Sequence, residues 1–258
     1  MRDADCEAVS IVTISRTFGL IFGFILLAVY SIVLIVIEWQ TSQLYVRQFF
    51  TDIEGEVFFY AINTTFSVFL LWATALLFAV GLLCIHIERH FQHASSPSQP
   101  ENRCQFPIGR VKFWKRSSVA DPEVKQCQAY WFYLSQVIMF AYLGFDERFL
   151  IHETIGFWLG RNDAYLLLGL GFVEIGLLVL LGNLREKPKT TRYFLYSAAV
   201  FFAMMIVIDA KFPSQMVLRL SLEELTKLWA DVCLVLFAWE ILRQHIHQLS
   251  ANASPVAD

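Results

Sequence analysis

Apolar residues fall along this chain in six long stretches with little alternation and no single polar face, at residues 18–37, 57–85, 129–145, 164–182, 193–208 and 222–242. A surface helix of a soluble protein keeps one polar face, so stretches that are apolar all round predict helices in a wholly apolar environment. About 20 such residues cross the hydrocarbon layer of a bilayer. The expected architecture is therefore an all-α bundle of six transmembrane helices forming a single membrane domain over 1–258. The second stretch is long enough to tilt, whereas the third and fifth need polar flanks that snorkel. Between the second and third, residues 92–125 contain HASSPSQPENR and lack an apolar period, which predicts a linker loop. Residues 249–258 predict a flexible tail. No internal repeat relates the two halves.

Composition agrees with this pattern. The 258 residues are 57% hydrophobic and 17% charged, with a mean hydropathy of +0.52. A net charge of −3 without any block of like charge argues against a nucleic-acid partner. The first stretch exceeds a secretory h-region and no small-residue cleavage site follows, so it is expected to remain as a span. Cys6, Cys84, Cys104, Cys127 and Cys233 show neither CxxC nor Cys/His spacing.

Lys and Arg set the orientation. With a cytoplasmic N-terminus, fourteen of the 20 lie on the cytoplasmic side and six on the other. Both termini are expected in the cytoplasm, in a plasma membrane or bacterial inner membrane, with residues 92–125 on the same side.

Against this background two acids stand out: Glu174 in LLLGLGFVEIGLLVLLG and Asp231 in LWADVCLVLFAW. A charged side chain at mid-bilayer costs roughly 2.5–3.5 kcal/mol on insertion scales, so it persists where it faces protein, water or a counter-charge. Asp231 has Lys227 one turn before it and Glu223 a turn earlier, a ladder that reads equally as internal neutralisation or as a proton or cation path. Glu174 has no partner on its own helix, so it is either kept as a neutral carboxyl by desolvation, with a buried structural role as the alternative to activity, or meets a group on another helix. Asn63, Thr64, Thr65 and Ser67 of the second stretch are candidate donors to it.

The densest polar feature is GFDERFLIHETIG, which brings Asp146, Glu147, Arg148, His152 and Glu153 together outside the third stretch. A continuous helix would put Asp146 and Glu153 on one face but about 10 Å apart. His152, Glu153 and Asp146 could hold a divalent metal with help from Asp209, as carboxylates and one imidazole suit hard or borderline cations. The alternative is an interfacial amphipathic turn with Phe149, Leu150, Ile155, Phe157 and Trp158 at the lipid boundary. Glu223 and Glu224 are explained by a helix start at Ser221, whose spacing to Glu224 matches a capping box. On the cytoplasmic rim, His86, His90, His93, His245 and His247 lack HExxH spacing and read mainly as headgroup-facing residues.

No P-loop, GxSxG or GxGxxG motif is present, so any chemistry belongs to the bundle itself. The leading expectation is proton- or cation-linked transport through Glu174, Asp231 and Lys227, entered from an extracytoplasmic cluster of Asp146, Glu147, His152, Glu153 and Asp209. An embedded enzyme that uses this cluster on a lipid substrate, and a non-catalytic subunit of a membrane complex or homo-oligomer, remain as alternatives. The topology makes a direct prediction: a reporter fused after His247 reads as cytoplasmic and one inserted at Glu54 as extracytoplasmic. The opposite pair of signals would invert the bundle.

Overall fold

The computed structural model describes residues 20–36, 58–95, 122–160, 164–212 and 219–253, and all of its regular structure is helical, with no strand among them. We number the helices α1 (Leu20–Val36), α2 (Phe58–Ser95), α3 (Pro122–Phe149), α4 (Ile151–Leu159), α5 (Ala164–Leu181), α6 (Lys189–Lys211) and α7 (Arg219–Ala253). A short 3-10 turn, Leu184–Glu186, joins α5 to α6.

The described part of each of the six apolar stretches is helical except Gly182, with residues 18, 19, 37 and 57 outside the described set, and the helices run past the apolar residues at several ends. α2 continues to Ser95 and α3 opens at Pro122, so both reach into the expected linker; the residues between them lie outside the described set. Proline is well placed at the start of α3, where its missing N–H would have no helical partner. α7 extends to Ala253, through half of the stretch expected as tail. α2 and α6 are long and apolar enough to cross a membrane, while α1 and α5 are apolar but shorter.

The chain breaks its helices with specific residues. Gly160 ends α4 at φ 61°, its N–H reaching the carbonyls of Gly156 and Phe157. Gly182 donates to the Leu178 carbonyl at 3.0 Å, and Asn183 at φ 44° turns the chain toward Pro188 and α6.

Five helices close a ring in which α2 packs on α3 and α7, α3 also on α5, and α6 on both α5 and α7. α1 leans on this ring through Tyr30, whose hydroxyl donates to Asn63 of α2 at 2.5 Å, and through Phe24, stacked on Trp229 of α7 at 5.9 Å. Inside the ring Phe78 is the centre of an aromatic layer, stacked on Phe140 at 5.8 Å and edge-on to Phe132, with Phe237 at 6.2 Å. Outside, the surface is apolar: Phe69, Leu76, Val179 and Val200 are exposed on α2, α5 and α6, and Phe157 and Trp158 of α4 are 86% and 82% exposed. Only 33% of the most apolar window of α2 and 22% of that of α6 is buried within the protein. A core helix of a soluble domain would be mostly covered.

Gly81 makes the α2–α3 approach possible. A Cβ there would lie 2.1 Å from the Tyr133 ring, far inside van der Waals contact. Gly81→Ala is expected to destabilise the protein by about 1–3 kcal/mol, the usual range for overpacking. Thermal unfolding in detergent should show the loss, and Tyr133→Leu should recover part of it; a Gly81→Ala protein as stable as the parent would contradict this packing.

Candidate functional site

The outer ends of α2, α3 and α7 bury an unusual number of polar groups. Lys227 Nζ donates to Glu224 Oε1 at 2.7 Å and to Glu147 Oε1 at 3.0 Å, linking α7 to α3. Both carboxylates are buried, Glu224 almost completely. One turn further in, Asp231 is 4% exposed and its carboxylate accepts a hydrogen bond from the Ser67 hydroxyl of α2. The expected ladder is thereby re-sorted. Lys227 bridges Glu224 and Glu147, whereas Glu223 lies 3.8 Å from Arg219. The helix already includes Arg219, so Ser221 is inside its first turn and is not the cap the sequence suggested.

Next to this network the chain bends. Leu150 takes left-handed geometry at φ 50°, which ends α3 and starts α4, so the continuous helix expected from Asp146 to Glu153 is interrupted. An L-residue there pays roughly 1–2 kcal/mol in steric strain. Asp146 holds the bend: Oδ1 accepts from the His152 backbone N–H at 2.8 Å, and Oδ2 meets the His152 Nδ1 at 2.8 Å. Asp146 and His152 thus converge and are both buried, while Glu153 is exposed. The metal set of His152, Glu153 and Asp146 is not gathered, and Asp209 is held elsewhere by Arg219 Nη2, at 2.5 Å from Oδ1 and 3.2 Å from its carbonyl. Among the described residues no three His, Cys, Asp or Glu side chains come close enough to hold a metal ion.

Glu174 lies on α5, which packs on α3, α4 and α6 and has no comparable packing on α2. The donors expected from α2 are therefore remote or engaged: Asn63 accepts from Tyr30, and Ser67 donates to Asp231. The polar group beside Glu174 is the Gln136 amide of α3. Sequence reasoning missed Gln136, although it is the one carboxamide in the apolar part of that stretch. It also missed Glu240, a buried acid near the inner end of α7 that accepts from Arg243 at 3.1 Å. An apolar groove of about 660 Å³ between α1, α2 and α7 reaches Glu240 and is lined by neither Asp231 nor Glu174.

The histidines at the far ends of α2 and α7 do not form a common centre among the described side chains. His86 and His247 are exposed, and the side chains of His90 and His93 lie outside the described set. His245 is tucked against Tyr133 at 5.8 Å; burial pushes its imidazole below the usual range, Glu88 pulls the other way and Lys187 adds to the depression. Burial likewise lowers the Lys187 ammonium, partly offset by Glu186. Arg89 caps this end, its guanidinium 5.1 Å above the Tyr130 ring and donating to the Gln126 carbonyl at 3.2 Å. Cys84, Cys127 and Cys233 form no disulfide among the described residues; Cys6 and Cys104 lie outside them.

A helical ring with a polar interior at one end is the class that fold and site define. The chain belongs to the family described as Domain of unknown function (DUF8692), whose model matches residues 19–241. Comparison with curated proteins and with solved structures finds no match.

The bend gives a prediction. Asp146→Ala removes both the cap on the first turn of α4 and the bond to the buried imidazole, and should cost about 2–4 kcal/mol. His152→Ala keeps the backbone cap and should cost distinctly less. Equal losses in unfolding experiments would mean that the cap contributes nothing.

Proposed function

We propose that the chain is an integral membrane protein of the proton-linked transport class, with six helices crossing the bilayer, both termini cytoplasmic, and Asp231 as the central proton-carrying group. What supports this most is the polarity of the bundle. Its outer surface is apolar, yet its interior holds two hydrogen-bonded groups one helical turn apart, Lys227 with Glu147 and Glu224 at the rim and Asp231 with Ser67 within. Ionisable side chains at membrane depth are expensive and mark ion or proton pathways by default.

A proton fits better than a hydrated cation. Side chains in hydrogen-bond contact pass protons by exchanging donor and acceptor roles, whereas a hydrated ion needs a water-wide passage. The groove formed by described residues of α1, α2 and α7 is lined by Glu240 and not by Asp231. Lys227 sets the entry: it bridges two rim carboxylates, and Asp231, one turn below, is the next acid inward.

Asp231→Asn separates the roles of charge and shape. The amide oxygen still accepts from Ser67, so the helices should pack as before, but the group no longer exchanges a proton. In vesicles carrying a pH-sensitive dye, proton flux through the purified protein should fall by at least about tenfold, in the range associated with losing a positioned acid–base group, while thermal stability stays near the parent value. Unchanged flux in Asp231→Asn would end this assignment.

A further inference from the structure

Gln136 is fully buried, at 0% exposure, and among the described residues neither its Nε2 nor its Oε1 has a hydrogen-bond partner; both carboxyl oxygens of the adjacent Glu174 are likewise buried without one. Four polar atoms left this way in an apolar helix interface would cost several kcal/mol, and an ionised, unpartnered carboxylate far more. The pair lies apart from the Asp231 network, on the side of α3 that faces α5.

The atoms themselves indicate what completes the site. Glu174 and Gln136 offer three oxygens that accept and one NH₂ group that donates. A divalent cation takes about six to eight oxygen ligands, twice what these side chains provide. A single proton is sufficient. A neutral carboxyl can donate its O–H to Gln136 Oε1 while its carbonyl oxygen accepts from Gln136 Nε2, a reciprocal acid–amide pair that satisfies all four atoms at once. Small rotations of two unbranched side chains close it.

Among the described residues nothing nearby supplies a counter-charge in place of the proton. Glu174 is the sole charged residue of α5, and the groups that act on it are its apolar surroundings and the Gln136 amide, with no charged side chain from α3, α4 or α6 among them. We propose that Glu174 and Gln136 form a second proton-binding site, in which Glu174 is held as a neutral carboxylic acid by reciprocal hydrogen bonds to the Gln136 amide. The site shares with the proposed function the bilayer setting, but it does not require that Asp231 carry protons.

Infrared difference spectroscopy on the full-length protein in lipid vesicles tests this directly. At neutral pH the wild type should show the carbonyl stretch of a protonated carboxyl group that is shifted by deuterium exchange and disappears in Glu174→Gln. In Gln136→Leu the band should move to higher frequency, because its carbonyl oxygen loses a donor. Gln136→Met repeats the test with a flexible side chain, should the branched one disturb packing. Independently of any substitution, magic-angle-spinning spectra of wild-type protein labelled in glutamate and glutamine side chains should show Glu174 as a neutral carboxyl within transfer distance of the Gln136 amide carbon. A carboxylate signal for Glu174 overturns the neutral state, and a band unmoved in both Gln136 variants overturns the pairing. Asp231→Asn should leave the band in place, so a failure of the transport reading and a failure of this site appear in different experiments.

Discussion

The close approach of α2 and α3 is the constraint on which the rest of the bundle depends. Two small residues allow it. Gly81 admits the Tyr133 ring near one end, and Gly144 admits Trp72 near the other, where an added Cβ would come within 3.0 Å of the indole. Between them Phe78 stacks on Phe140. These three contacts fix the antiparallel register of the two helices, since sliding by one turn would drive a ring into backbone. The register in turn puts Glu147 of α3 level with Ser67 of α2, on the side where α7 completes the trio. Lys227 and Asp231 of α7 then find partners on two different helices.

Around that frame the molecule reverses the usual distribution of polarity. In water, apolar side chains collect inside because removing them from solvent is favourable, by about 25 cal/mol for each Å². Here Phe69, Leu76, Val179 and Val200 point outward while Asp231, Glu224 and Gln136 are enclosed. With a hydrocarbon surrounding, exposing those side chains costs nothing, and helix association relies on packing and on hydrogen bonds between helices. The aromatic layer supplies the first and the rim network the second. Removing one member of the rim network is correspondingly severe, because a buried charge that loses its partner costs roughly 3–5 kcal/mol.

Much of this was legible in the sequence, and what was hidden shares one cause. The six apolar stretches mark helices because apolarity on every face is a property of each segment alone. Glu174, Asp231 and the DERFLIHE cluster are visible for the same reason, as ionisable groups in segments that otherwise avoid them. Partners are a property of pairs of segments. Lys227 precedes Asp231 by one turn, so the local ladder was a fair expectation, but α3 delivers Glu147 to that lysine and α2 delivers Ser67 to that aspartate. Glu174 was matched to α2 because α2 is rich in hydroxyls; the ring order instead gives it α3 and Gln136. The bend at Leu150 had no glycine to announce it, and its cause, a carboxylate four residues earlier in sequence, becomes visible only when both sides of the turn are placed.

The two acids Asp231 and Glu174 illustrate how one kind of group can serve different ends in a single bundle. Asp231 lies a turn below a lysine that bridges two rim carboxylates, so its environment offers a hydroxyl donor in Ser67 and ionisable groups one turn away. Glu174 has an amide donor in Gln136 and no ionisable neighbour among the described residues. It is flanked by leucines and glycines on its own helix, and it faces an amide that cannot change its charge. A group connected to exchangeable neighbours is suited to passing a proton on, and a group whose sole polar neighbour is an amide is suited to keeping one. The ring geometry enforces this division: α3 presents Glu147 toward α2 and α7 and Gln136 toward α5, so the two sites share a helix without sharing a hydrogen-bonded connection among the described residues.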